Sequence, residues 1–222
     1  MIKKKSKEVL VTGGCGFIGS HLVERLLKEG HQITVIDNLS TGKKQNLVSV
    51  LRHPRLKIVY QDIAYDGKIV SHFENKHWVF HLAALADIVP SINNPRKYYE
   101  NNVQGTFNVL EACRQVGVEK ILYAASSSCY GIPKAYPTSE ESPIRPQYPY
   151  ALTKFLGEQL LLHWGKVYGL SVTSLRLFNV YGPRARSTGQ YGAVFGVFLA
   201  QKLAHEMIRD KKTNKINELE CV

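Results

Sequence analysis

The sequence predicts an α/β fold, a doubly wound parallel sheet of about six strands, and three patterns predict it. Apolar runs of strand length alternate with amphipathic runs of helix length, the rhythm of a parallel sheet joined by right-handed crossovers. The strand runs are apolar almost throughout, as strands covered on both faces must be. A glycine triplet stands at the first strand-to-helix junction, where sheets of this kind bind ligand.

Residues 8–12 form the first strand, and Gly13, Gly16 and Gly19 follow as G-x-x-G-x-x-G. The first glycine allows a tight turn, the second lets a pyrophosphate approach the backbone, and the third lets helix and strand pack closely. The helix over 17–30 carries Leu22, Val23, Leu26 and Leu27 on one face, and its positive end suits phosphates. A second strand, 32–36, leads to Asp37, eighteen residues beyond Gly19. A carboxylate there accepts hydrogen bonds from an adenosine ribose and repels a 2′-phosphate. NAD is therefore favoured over NADP, with Lys43 and Lys44 close enough to soften the repulsion.

The third strand, 56–61, leads to Asp62 and Ile63, and a helix over 66–75 follows. The fourth strand, 77–82, carries His81, which reads as a strand-end residue with a satisfied ring and no chemical task. Then come a helix over 97–117, a strand over 119–124 and the polar run Ser126, Ser127, Ser128. A helix over 149–168 and a strand over 171–177 complete the series, and Phe178 and Asn179 follow it. The polar residues gather at the carboxyl ends of the strands, which is where ligand is expected.

Tyr150 and Lys154 lie four residues apart, about one helical turn, so both point to one side of the last helix. A phenol beside an ammonium makes a base that works nearer neutral pH, because the cation stabilises the phenolate. Cysteine use points elsewhere. Cys15, Cys113, Cys129 and Cys221 form no C-x-x-C pair, which fits free thiols in a reducing cytoplasm.

The 222 residues are 44% hydrophobic, enough for one sizeable core and part of a second. No apolar run approaches the ~20 residues of a membrane span, and no metal cluster is evident. The net charge of +11 invites a nucleic-acid reading, but much of it lies in residues 3–7 and 209–215, without interleaved aromatics. Neither nucleic acid nor membrane is expected as a partner.

The ordered motifs resemble the extended short-chain dehydrogenase/reductase superfamily, and within it the nucleotide-sugar epimerases of the UDP-glucose 4-epimerase type. They are the glycine segment 12–19, the stretch 37–42, His81-Leu82-Ala83-Ala84 and residues 102–106. Ser126 through Gly131, Tyr150 through Lys154 and residues 176–182 complete the set, over a span of about 9–205. The resemblance implies that Phe17 and Ile18 cover the pyrophosphate, that Asp37, Asn38, Ser40 and Gly42 surround the adenosine ribose, and that Asp62 and Ile63 flank the adenine. It implies further that Leu82, Ala83, Ala84 and Ala86 border the nicotinamide side, that Phe178 is cofactor-binding, and that Asn102 supports the cofactor or the lysine. Ser126 takes the position of the catalytic serine, with Tyr150 and Lys154 as its partners. Ser127 could share its task, and Asn179 and Tyr191 would touch the substrate.

The implied reaction is inversion at C4 of a UDP-hexose through a transient 4-keto sugar, with NAD retained. Related dehydratases carry an acidic pair after the serine position, and UDP-glucuronate decarboxylases a glutamate; Ser127, Ser128 and Cys129 stand here instead, which favours epimerisation. The resemblance is expected to stop after His205, ahead of a polar stretch over 206–222. It therefore divides the chain into a cofactor domain over 1–178, an incomplete substrate domain over 179–205 and a divergent tail. A C-terminally truncated, weakened enzyme is one expectation, and a non-catalytic NAD-binding fragment or subunit partner is the other. Homodimerisation through the helices 97–117 and 149–168, as a four-helix bundle, is a further implication.

Overall fold

A computed structural model describes residues 6–65, 69–185 and 202. The chain through Phe178 forms one compact unit, and the chain from Asn179 belongs to a second. In the first unit six parallel strands lie in the order β3-β2-β1-β4-β5-β6. They are β1 (Glu8–Thr12), β2 (Gln32–Asp37), β3 (Leu56–Tyr60), β4 (Trp78–His81), β5 (Lys120–Ser126) and β6 (Ser171–Leu177). The strand order reverses between β1 and β4, so a crevice opens beyond their carboxyl ends.

The side-chain alternation of β1 splits the core into two layers. Leu10 packs with Phe73, Val109, Leu110 and Leu161 on one face of the sheet. Those residues come from α2 (Val70–Phe73), α5 (Gly105–Val116) and α6 (Pro149–Tyr168). Val9 and Val11 point the other way, onto Val23, Leu26 and Leu27 of α1 (Phe17–Lys28). All of these are buried, which is why β1 had to be apolar at every one of these positions.

Two stretches depart from the sequence expectation. The helix expected over 66–75 is described only as the short α2, with residues 66–68 outside the described set. The single helix expected over 97–117 is interrupted. A short α3 (Ile88–Asn93) precedes it, and Pro95 then starts α4 (Pro95–Tyr99), with the Asn94 side chain accepting from Lys97 N at 3.3 Å. Proline cannot continue a helix but suits the first turn of a new one. A π-turn over Glu100–Gln104 then joins α4 to α5. A further difference is that a 3-10 turn, Ser127–Tyr130, folds the chain back at the end of β5.

Candidate active site

The cleft begins with the glycine loop. Gly13 leaves β1 at φ +71°, and a Cβ there would stand 2.7 Å from Ala83 N. A Cβ at Gly19 would collide with the Gly13 carbonyl oxygen, so no side chain fits between the loop and the start of α1. Helix α1 opens at Gly16 with no side-chain cap and no acidic residue in its first turn. That leaves an uncapped, positive helix end against the cleft, the arrangement that receives phosphate.

The cleft, of about 270 Å³, is lined by Gly13, Gly16, Phe17, Ile18, Gly19, Asp37, Asn38, Ser40, Asp62, Ile63, Leu82, Ala83, Ala84 and Ala86, all of them expected from sequence. Thr41, within the expected stretch 37–42, lines it too, and Ile36, Gln61, Leu85, Asn101 and Ala124 join them without having been expected. Asp37 ties the glycine loop to the turn after β2. Its Oδ2 accepts from Cys15 N at 2.9 Å and its Oδ1 from Leu39 N at 2.8 Å. Burial pushes its carboxyl pKa up, and these two amides pull against the rise. Gly42 is outside the lining and packs on the Asp37 carboxylate, where a Cβ would stand 2.9 Å from both oxygens. Asn38 donates to Asp62 at 2.7 Å, which ties together the loops after β2 and β3.

Asn102, expected to support the cofactor or the lysine, bonds on the lysine side, to the residue before Lys154. It is buried, outside the cleft lining, and its side chain is occupied by the backbone of the next loop. Its Oδ1 accepts from Leu85 N at 2.8 Å, and its Nδ2 donates to Leu85 O at 3.0 Å and to Thr153 Oγ1 at 3.1 Å. It supports the cleft wall and the α6 turn that carries Tyr150 and Lys154. Its carbonyl accepts from Thr106 Oγ1 at 2.6 Å. Because Thr106 spends its single proton there, His81 must donate Nε2–H to it, over 3.0 Å. The other ring nitrogen then accepts from Thr12 Oγ1 at 2.7 Å, and Thr12 accepts from Ala83 N at 3.2 Å. His81 is thus a neutral, fully buried bridge from the cleft wall to the π-turn, and burial lowers its pKa to about 3. That agrees with the reading of a satisfied ring.

Ser126 ends β5, and Tyr150 and Lys154 sit in the first two turns of α6. Burial raises the Tyr150 pKa, and the Ser126 hydroxyl pulls against that rise. Asp87 and Tyr148 add to the rise, and Tyr98 lies edge-on to the Tyr150 ring, with centroids 6.4 Å apart. Lys154 was expected to hold the phenol down. Instead it is buried, with Nζ 4.1 Å from the Tyr123 ring centroid, and burial lowers its own pKa to about 7. The lowering contact on Tyr150 is Ser126. Tyr98 is buried and donates to Ala86 O at 2.6 Å. Phe178 stacks on Tyr130 and remains exposed. Ser127 is half-buried in the 3-10 turn. Asn179 falls in the second unit, and Tyr191 lies outside the described residues.

Sequence reading passed over Asp87 and gave Ser128 no role of its own. Asp87 is held at φ +92°, a backbone region that favours glycine, at the end of the cleft wall. No motif marks it; only the fold brings its charge towards Tyr150.

Residues 9–214 match the NAD dependent epimerase/dehydratase family. The chain belongs to that family. The match runs nine residues past His205, so the family resemblance extends beyond the point where sequence reading ended it. A putative UDP-glucose 4-epimerase of Methanocaldococcus jannaschii is 37% identical over 202 residues, covering 89% of this chain and 64% of that protein. The structure of a UDP-N-acetylglucosamine 4-epimerase of Methanobrevibacter ruminantium, in complex with UDP-N-acetylmuramic acid, superposes with a TM-score of 0.88 at 37% identity; the match covers 94% of this chain and 67% of that one. A UDP-glucose 4-epimerase of Thermus thermophilus in complex with NAD gives 0.81 at 39% identity, over 91% of this chain and 64% of that one. A UDP-glucuronic acid decarboxylase 1 of Xenopus tropicalis also matches, 33% identical over 211 residues, 93% of this chain and 48% of that protein. The chain thus spans about 64% of the length of the first of these relatives. No helix among the described residues is long and apolar enough to cross a membrane.

Proposed function

We propose that this protein takes part in NAD-dependent epimerisation at C4 of a UDP-hexose, through a transient 4-keto sugar. One arrangement carries the reading: Ser126 ends β5, α6 packs on β5 with Tyr150 and Lys154 one turn apart at its start, and the glycine-loop cleft opens at the carboxyl ends of the same parallel sheet. The cleft fits the cofactor. Gly13, Gly16 and Gly19 clear the backbone for a pyrophosphate at the uncapped end of α1, and Asp37 offers an acceptor to the adenosine ribose. Asp62 and Ile63 wall the adenine end, and Leu82, Ala83 and Ala84 the nicotinamide end.

NAD, when bound, would supply a hydride acceptor, and in turn a hydride donor, for C4. Tyr150, as phenolate, takes the proton of the 4-hydroxyl, and Ser126 donates to the same region and steadies the charge. Lys154, when protonated, would favour the phenolate, and it would hydrogen-bond the nicotinamide ribose. Ser127 and Ser128 place no carboxylate beside the sugar, which argues against elimination or decarboxylation. Asn179 and Tyr191 belong to the substrate side of this proposal. The three described cysteines are free and buried, in keeping with the cytoplasmic setting we infer. We also propose a homodimer through the outward faces of α5 and α6.

The test is Tyr150→Phe. Interconversion of UDP-glucose and UDP-galactose should fall by about 10²–10⁴-fold while NAD stays bound. Undiminished turnover in that variant rejects the mechanism, and a wild-type chain that binds NAD without turnover supports the non-catalytic alternative.

A further inference from the structure

Ser126 Oγ receives two contacts from Ser128: the hydroxyl at 2.7 Å and the backbone N–H at 3.2 Å. Either hydroxyl can be the donor in the first. The state of Tyr150 decides which. A neutral phenol can give its proton to Ser126, but a phenolate only accepts, so Ser126 must then turn its single proton towards Tyr150. The Ser126 oxygen is left with two lone pairs, and the Ser128 hydroxyl and N–H are in place to fill them.

We propose that Ser128 is a positioning residue, whose donation to Ser126 Oγ frees the Ser126 hydroxyl to donate to the Tyr150 oxygen. The inference rests on the reading of Tyr150 as the proton-accepting group. The turn that carries Ser128 is anchored independently of this contact. Arg145 N donates to Cys129 O at 2.8 Å, and Arg176 Nη1 donates to Tyr130 Oη at 2.8 Å. Removing the Ser128 hydroxyl therefore leaves the turn in place. The groups that act on Tyr150 electrostatically are Asp87 before α3 and Tyr148 before α6; the Tyr98 ring of α4 lies against its edge, and Lys154 is one turn along its own helix.

The experiment is a pH titration of the whole chain labelled at tyrosine Cζ with ¹³C, with the Tyr150 resonance assigned by its loss in Tyr150→Phe. Neither sugar nor cofactor is present, so a chain without epimerase turnover still gives a result, and failure here is distinct from failure of the proposed function. At a fixed pH near ~10.5, where circular dichroism reports the native fold, Ser128→Ala should lower the phenolate-to-phenol ratio of Tyr150 about three- to tenfold, one neutral hydrogen bond's worth. Ser128→Thr keeps the hydroxyl and should restore the wild-type ratio. Ser128→Cys, near in size and a weak donor, should fall between them and serves if the alanine variant does not fold. Ser126→Ala should lower the ratio at least as far, with no further fall on adding Ser128→Ala. An unchanged ratio in Ser128→Ala or Ser128→Cys overturns the proposal, as does a further fall in the double variant.

Discussion

Lys154 carries a buried ammonium whose pKa stands near 7 against an ordinary 10.5. Between those values the unfolded chain binds the proton and the folded chain does not. Stability therefore rises with pH from about 7 to 10.5, and below 7 the full burial penalty is felt. Lys154→Met removes this rise, so its urea midpoint, plotted against pH, should lie above wild type at pH 7 and converge with it towards pH 10.5. A parallel pair of curves would contradict the burial argument. His81 acts in a separate window. Its folded pKa is about 3 against 6.5, so stability is lost as pH falls through that interval, because only the unfolded state gains the proton. The two groups face each other electrostatically: Lys154 helps to hold His81 neutral.

The element that most shapes the site is the π-turn Glu100–Gln104. The extra residue in the helix lets the Asn102 side chain reach Leu85 on the cleft wall and Thr153 on α6 together. Asn102→Leu keeps the volume and leaves the Leu85 N–H and C=O without their partner. We expect a loss of roughly 2–4 kcal/mol in urea unfolding, from two buried backbone groups left unpaired. The affinity for NAD should drop with it, because Leu85 and its neighbours line the cleft. A variant as stable as wild type, with unchanged NAD affinity, would mean that the wall holds itself. The junction between Asn94 and Pro95 belongs to the same scale, since it separates α3 from α4 and lets the chain change direction towards α6.

At the scale of the whole molecule, apolar side chains remain on the outward faces of the two helices proposed as an interface. Phe107 on α5 is 38% exposed, and Leu152 and Leu162 on α6 are 45% and 44% exposed. Replacing Leu152 and Leu162 together by glutamate should shift the mass measured by light scattering from dimer to monomer at micromolar concentration, with the first-unit fold intact by circular dichroism. A wild-type chain that is monomeric at ~100 μM would remove the dimer from the proposal.

Periodicity, glycine spacing and residue type were enough to predict the parallel sheet, the phosphate loop, Asp37 and the pairing of Tyr150 with Lys154 along one helix. These depend on neighbours within a few residues, or on burial that every strand position shares, and such constraints are written locally. Which charge governs Tyr150 was not written there. Helical spacing put Lys154 beside it, but the fold buries the ammonium over Tyr123 and leaves Ser126 as the contact that favours the phenolate. The inward turn of Asn102, the tautomer of His81 and the approach of Asp87 were likewise beyond the sequence. Each depends on residues from distant strands and helices meeting within hydrogen-bond or Coulomb range, and on water being excluded where they meet, which only the packed structure decides.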